Sequence, residues 1–141
     1  MSNRIHKREY YLGIAKAVSK RSTCLRRRYG AVIVKNDEIV ATGYNGSPRG
    51  EVNCCDVGIC HRVNCEHNDG NYVACPAVHA EQNAIISASR ADLIGATLYL
   101  YGYDCEIKND IKAIPCALCE RMIKNSGIER VIVSKESEFK K

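Results

Sequence analysis

The sequence predicts an α/β domain built on one mixed sheet with helices laid against it. Three observations carry that expectation. Helical and strand periodicities follow the order α-β-β-α-β-α-β, which calls for a sheet covered by helices. Two β-branched runs meet at Asn36-Asp37, an antiparallel hairpin signal. In the second half, strand, helix and strand succeed one another, so the later strands should run parallel through a crossover connection.

Each element has its own reason. Residues 4–19 form a helix because Tyr11, Ile14, Ala15 and Val18 fall at i, i+3, i+4 and i+7. Residues 30–35 and 38–43 are the hairpin strands. Residues 44–76 are loop-like, rich in Gly, Asn, Cys and His, and a loop of that length needs its own source of order. A second helix is expected from about Val78 to Arg90, with Ala80, Ala84 and Ala88 along one face. Residues 96–101 form a strand. Cys116 to about Asn125 form a helix stopped by Gly127, and residues 129–133 form the last strand. The polar tail, 134–141, should fray.

The 141 residues are expected to make a single domain, 1–141, large enough for a real core and too short for two. No run of 18 or more apolar residues occurs, and the first residues lack the apolar segment of an export signal. The expectation is a soluble, cytoplasmic protein with no membrane partner. Nine cysteines in that compartment point to metal thiolates rather than disulfides. The net charge of +5 is uneven: residues 1–28 carry nine Lys/Arg against one acid, a balance of +8, leaving −3 for the rest. A basic end suits a phosphate-bearing partner, or is simply a solvated face. Eight Tyr, one Phe and no Trp, without basic–aromatic interleaving, make a nucleic-acid partner unlikely.

His79-Ala80-Glu81 and Pro115-Cys116-Ala117-Leu118-Cys119 carry the chemistry. His79, Cys116 and Cys119 are ligands of the kind zinc prefers, and a catalytic zinc keeps its remaining position for water. Both half-motifs fall at expected helix starts, where the helix end should lower a thiol pKa. His79 and Glu81 stand about 200° apart on an ideal helix, so both cannot ligate one ion from its interior. From the first turn, the longer Glu81 side chain reaches the metal-bound water while the imidazole takes the ion. His-x-Glu followed by Pro-Cys-x-x-Cys is the signature of zinc deaminases that act on cytosine or adenine, with the Glu as general acid and base.

At these residues the chain resembles the cytidine and deoxycytidylate deaminase superfamily. The likeness is nearest to the deoxycytidylate (dCMP) deaminase branch with its late-competence-like bacterial relatives. It also runs through Ser22-Thr23-Cys24, Gly30 to Val34, Gly43 to Gly50, Gln82 to Ile85 and Gly127-Ile128. The resemblance implies a three-layer α/β/α cytidine-deaminase-like fold with a mixed central sheet. It implies zinc on His79, Cys116 and Cys119, and Glu81 as the catalytic proton shuttle. Asn45 would bind the sugar, with Ala80, Arg90 and Arg27 as further substrate contacts; Arg26 and Arg28 are alternatives to Arg27. Family members are commonly hexamers or smaller homo-oligomers, and some are activated by dCTP and inhibited by dTTP.

Six cysteines remain besides Cys105, with His61 and His67 among them. Zinc is the simplest source of order for such a loop. Relatives with a structural zinc resemble this chain at Cys24 and Cys54, and a subgroup resembles it also at Cys60 and Cys75. Those four are the expected second site, with His61, Cys65 and His67 in reserve and Cys55 and Cys105 as bystanders. Gly102–Ile114 is longer than the family's usual link and would reshape the pocket rim or an interface.

The expected function is zinc-dependent hydrolysis of dCMP to dUMP and ammonia in pyrimidine deoxyribonucleotide metabolism. One rival keeps the chemistry and changes the substrate to cytidine, CMP, a pterin-type ring, or a base in tRNA or single-stranded DNA. Another rival is a non-catalytic zinc-stabilised protein of DNA uptake, which leaves Glu81 without a task.

Overall fold

The computed structural model describes residues 3–60 and 74–135. Its elements are α1 (Lys7–Ser19), β1 (Arg27–Lys35), β2 (Glu38–Tyr44), α2 (Cys54–Val57), α3 (Ala80–Ile86), α4 (Arg90–Leu93), β3 (Thr97–Asp104), β4 (Asn109–Ile111), α5 (Ala117–Ser126) and β5 (Arg130–Val133). The sheet is mixed, as expected. β1 pairs antiparallel with β2 and with β3, while β5 runs parallel to the first half of β3 through the α5 crossover.

Strand alternation divides the core in two. Val32 and Val34 of β1, with Tyr99 and Tyr101 of β3, face Tyr11 and Ala15 of α1. Ala31, Ile33, Leu98 and Leu100 face the other way, toward Ala80 and Ala84 of α3 and Ile123 of α5. The central strands are therefore covered on both faces, which is why β1 reads as a continuous apolar run rather than an alternating one. Three layers result, with α1 on one side and α3 and α5 on the other.

Two glycines set how closely the helices approach. A Cβ on Gly30 would lie 2.0 Å from the Ala15 carbonyl oxygen of α1. A Cβ on Gly43 would lie 2.5 Å from Ala84 N and 2.6 Å from Ala80 O of α3. α1 is also tied to the hairpin tip, where the Tyr11 hydroxyl donates to Asp37 Oδ1 at 2.7 Å and Lys7 pairs with the same carboxylate at 3.4 Å. Asn36 and Asp37 both have positive φ (52° and 63°), the backbone that a two-residue hairpin requires.

Several expectations need correction. The helix expected over Val78–Arg90 is two helices: α3 ends at Ile86, and the Ser89 hydroxyl accepts from Asp92 N–H to start α4. Serines favour caps over helix interiors because their hydroxyls compete for backbone groups, and here that competition wins. Arg90 therefore opens a separate short helix. β1 begins three residues earlier than expected and β3 ends three later, because Arg27 and Asp104 close that end of the ladder. The extra length of Gly102–Ile114 folds back as a hairpin, with β4 pairing to Gly102, Tyr103 and Asp104. Ser134 bolts it down, accepting from Gly102 N–H and donating to the Ile111 carbonyl. The stop at Gly127 is as expected, with φ 94°. Among the described residues, no helix is long and apolar enough to cross a membrane.

Candidate active site

Two helix starts bring the metal-type ligands together. His79 is the N-cap of α3 and Cys116 the N-cap of α5, both in extended backbone just outside the first turn. Because His79 lies before the helix, the 200° separation from Glu81 does not apply. The Gln82 side chain accepts from His79 N–H at 2.8 Å and so ties the N-cap residue to the first turn of α3. On α5, Cys116 Sγ accepts from Cys119 N–H at 3.5 Å, which orients the first thiol at the helix end.

His79 Nδ1 lies 3.2 Å from Cys119 Sγ and 3.6 Å from Cys116 Sγ, and the three donor atoms all fall within 4.8 Å of one another. Donors bound tetrahedrally to one zinc, at about 2.0–2.3 Å each, stand roughly 3.5 Å apart. The spacing and the imidazole–thiolate set both fit zinc.

Glu81 is the second residue of α3 and only 5% exposed. Burial pushes its carboxyl above the ordinary carboxylate range, against hydrogen bonds from its own N–H and from Cys119. Burial also pushes the Cys119 thiol up, followed by the nearby Glu81 carboxylate and Cys116. This reverses the expectation that the helix end lowers the thiol pKa. At Cys119 burial, with the nearby Glu81 and Cys116 adding to it, outweighs a half-charge at the helix terminus, and a dication bound there would favour the thiolate.

The other expected residues occupy distinct places. Asn45 is buried beside this centre: Gly46 and Val78, its neighbour and that of His79, exchange two backbone hydrogen bonds at 3.1 and 2.7 Å. Ala80 has no exposed surface and sits in the core, so a substrate contact at this position falls to its main chain. Arg27 lies on the α3 side of β1, its Nε donating to Asp104 Oδ2 at 3.0 Å. Arg90 stands exposed on α4, beyond the break. Cys54 N-terminates α2, and burial followed by the thiols of Cys24, Cys75 and Cys60 pushes its own thiol up. Those three thiols are thus near enough to Cys54 to raise it, but among the described residues only His79, Cys116 and Cys119 bring their ligand atoms within 4.8 Å of one another; Cys55 is exposed and Cys105 sits against Arg28. His61, Cys65 and His67 lie outside the described residues.

Sequence reasoning assigned no role to Tyr29. Its phenol is raised mainly by burial and feels both the Arg27 guanidinium, which lowers it, and the Glu81 carboxylate. Strand alternation would have found it, since Arg27 and Tyr29 are i and i+2 on one face, had β1 been started early enough.

A buried carboxylate beside a His-Cys-Cys cluster that fits zinc, on a three-layer α/β/α scaffold, defines a zinc-dependent hydrolytic deaminase. Residues 5–135 match the cytidine and deoxycytidylate deaminase zinc-binding region, and the chain belongs to that family. It is 42% identical to the deoxycytidylate deaminase of Mycobacterium phage D29 over 92% of this chain and 94% of that protein. It is 37% identical to the deoxycytidylate deaminase of Schizosaccharomyces pombe over 87% of this chain but only 35% of that protein. The apo crystal structure of dCMP deaminase from the cyanophage S-TIM5 superposes with a TM-score of 0.62 at 30% identity, over 93% of this chain and 82% of that one. Its complex with dCMP and dUMP gives 0.60 at 29% identity, over 91% and 82%.

Proposed function

We propose that the chain hydrolyses dCMP to dUMP and ammonia, with zinc held by His79, Cys116 and Cys119 and with Glu81 as proton carrier. The observation that carries this reading is the dry Glu81 carboxyl next to a convergent imidazole and two thiols. Zinc held by those three residues would supply a water acidified toward neutral pH, the nucleophile for C4 of the base. Glu81 accepts the proton of that water and delivers it to the ring nitrogen. It then takes the hydroxyl proton of the tetrahedral adduct and gives it to the departing amine, so water and cytosine leave as uracil and ammonia. A carboxyl whose pKa is lifted by burial suits both halves of this cycle.

The choice of dCMP is supported by the names of the relatives and by the bound nucleotides of the cyanophage complex. On this reading Asn45 holds the sugar, the main chain at Ala80 faces the base, and Arg27 or Arg90 meets the phosphate. Arg27 is the better placed, on the same strand face as Tyr29 and fixed by Asp104. A second, structural zinc on Cys24, Cys54, Cys60 and Cys75 is supported by the nearness of the other three thiols to Cys54, which a bound ion would draw into one ligand set. The same reading makes 1–141 a single domain of a cytoplasmic homo-oligomer, hexamer or dimer, open to dCTP and dTTP as effectors.

The test is ammonia release from dCMP by the purified zinc-loaded protein, compared with cytidine, CMP and dCTP. Turnover should be fastest with dCMP. Preference for free cytidine, or no release from any of the four, would overturn the assignment.

A further inference from the structure

Asn45 is held by more hydrogen bonds than a residue needs merely to be buried. Its Oδ1 accepts from Tyr29 N–H at 2.9 Å and from the Ser22 hydroxyl at 2.6 Å. Its Nδ2 donates to the Arg27 carbonyl at 3.0 Å. A backbone N–H only donates and a backbone carbonyl only accepts, so these two partners fix which end of the amide is oxygen. The direction of the Ser22 bond follows: its proton must point to Asn45, while its oxygen accepts from Cys24 N–H at 3.2 Å.

The inventory of this amide is then nearly closed. A carbonyl oxygen has two lone pairs, and both are used; an amide nitrogen has two hydrogens, and one is used. Among the described residues, the other Nδ2 hydrogen has no partner. The segment that does the fixing is itself anchored, because Thr23 N–H donates to the Asn45 carbonyl at 3.3 Å and the Thr23 carbonyl accepts from Cys55 N–H at 3.1 Å.

We infer that Ser22 is a positioning residue that saturates the Asn45 oxygen, so that Asn45 meets the substrate sugar as a hydrogen-bond donor only. This rests on Asn45 being the sugar contact. In dCMP the 5′ position carries phosphate and the 2′ position carries hydrogen, so the 3′-hydroxyl is the one sugar hydroxyl available. Asn45 Nδ2–H therefore donates to the 3′-oxygen, and the 3′-hydroxyl proton must be accepted elsewhere. A sugar bearing only donors at 3′ meets a donor there and is rejected by hydrogen-bond polarity.

The experiment compares kcat/KM for dCMP and its 2′,3′-dideoxy analogue in wild type, Ser22→Ala, Ser22→Thr and Asn45→Ala, each checked for zinc content and thermal unfolding. Wild type should prefer dCMP. Asn45→Ala should erase most of that preference. Ser22→Ala should shrink it by about three- to tenfold, through KM rather than kcat, as one neutral hydrogen bond allows. Ser22→Thr, which keeps the hydroxyl, should restore it. An unchanged preference in Ser22→Ala beside a lost one in Asn45→Ala overturns the role of Ser22. An unchanged preference in Asn45→Ala instead removes Asn45 from the sugar. Should Ser22→Ala fail to fold, wild type with the 3′-ammonium analogue decides: turnover near that of dCMP overturns the proposal, and turnover at or below that of the dideoxy analogue supports it.

Discussion

Glu81 and Cys119 illustrate how burial assigns work to side chains. Both are nearly inaccessible and both are pushed toward their protonated forms by burial; Glu81 adds to the rise of Cys119, while a hydrogen bond from Cys119 opposes the rise of Glu81. Glu81→Gln keeps the shape and the hydrogen bonds but cannot carry a proton. Its turnover of dCMP should fall by at least about 10²–10⁴-fold, the usual share of a general acid–base group. Metal analysis should meanwhile find the zinc content unchanged. A variant that loses both would make Glu81 a ligand rather than a proton carrier. At this scale the convergence of His79, Cys116 and Cys119 was legible in the sequence, because zinc chemistry dictates residue type and spacing together. The contacts of Ser22 and Tyr29 with Asn45 were not legible. Their contributions pass through a backbone N–H, a hydroxyl and a strand face, none of which constrains a motif.

At the scale of elements, the order of helices and strands was readable because α1, β1, β3 and α5 each bury a full apolar face. The break at Ser87–Ser89 was not, since it depends on which partner a serine hydroxyl chooses. β4 was also missed, because three residues of hairpin carry no periodicity. The two close-approach glycines separate stability from activity. Gly43→Ala drives a methyl into the first turn of α3, which carries Glu81 and follows His79. Overpacking of this kind costs about 1–3 kcal/mol, and a shift near 1 Å at the reacting groups costs on the order of 10²-fold in rate. Gly30→Ala makes a tighter clash against α1, on the far face of the sheet. It should lower thermal stability at least as much while the folded fraction keeps near-normal kcat. Equal losses of kcat in the two variants would refute the separation.

The hairpin tip adds a pH signature to α1. Tyr11 is pushed up to about 12, first by its hydrogen bond to Asp37 and then by burial, while Tyr11 and Lys7 hold the Asp37 carboxyl below its ordinary range. A raised phenol stabilises the fold fully below its unfolded pKa of about 10. That contribution disappears as pH rises from there to about 12. The depressed carboxyl acts in the other direction, contributing above about pH 3.9 and fading as pH falls through its lower folded value. Asp37→Asn should bring one tyrosine titration down toward 10 in an ultraviolet absorbance measurement. It should also start the alkaline decline of thermal stability at lower pH. A titration curve identical to wild type would show that the Tyr11–Asp37 bond is absent in solution.

For the molecule as a whole, the question is what holds α2 in place after β2. α2 is only four residues long and cannot hold itself. Its attachments are Cys55 N–H to the Thr23 carbonyl, and Cys54 amid the thiols of Cys24, Cys60 and Cys75. Uncharged thiols give such a group little cohesion, whereas thiolates on zinc convert binding energy into folding energy. The Thr23 link makes the consequence reach Asn45, whose carbonyl accepts from Thr23 N–H. Cys54→Ser should therefore lower zinc from two equivalents per chain to one and reduce the melting temperature by about 10 °C or more, equivalent to a few kcal/mol in a chain of this size. KM for dCMP should rise more than kcat falls, because His79, Cys116 and Cys119 sit at the N-terminal ends of α3 and α5 and keep their own ion. Wild-type protein that binds one equivalent, with Cys54→Ser unfolding at the same temperature, would leave the four thiols without a metal and α2 without its staple.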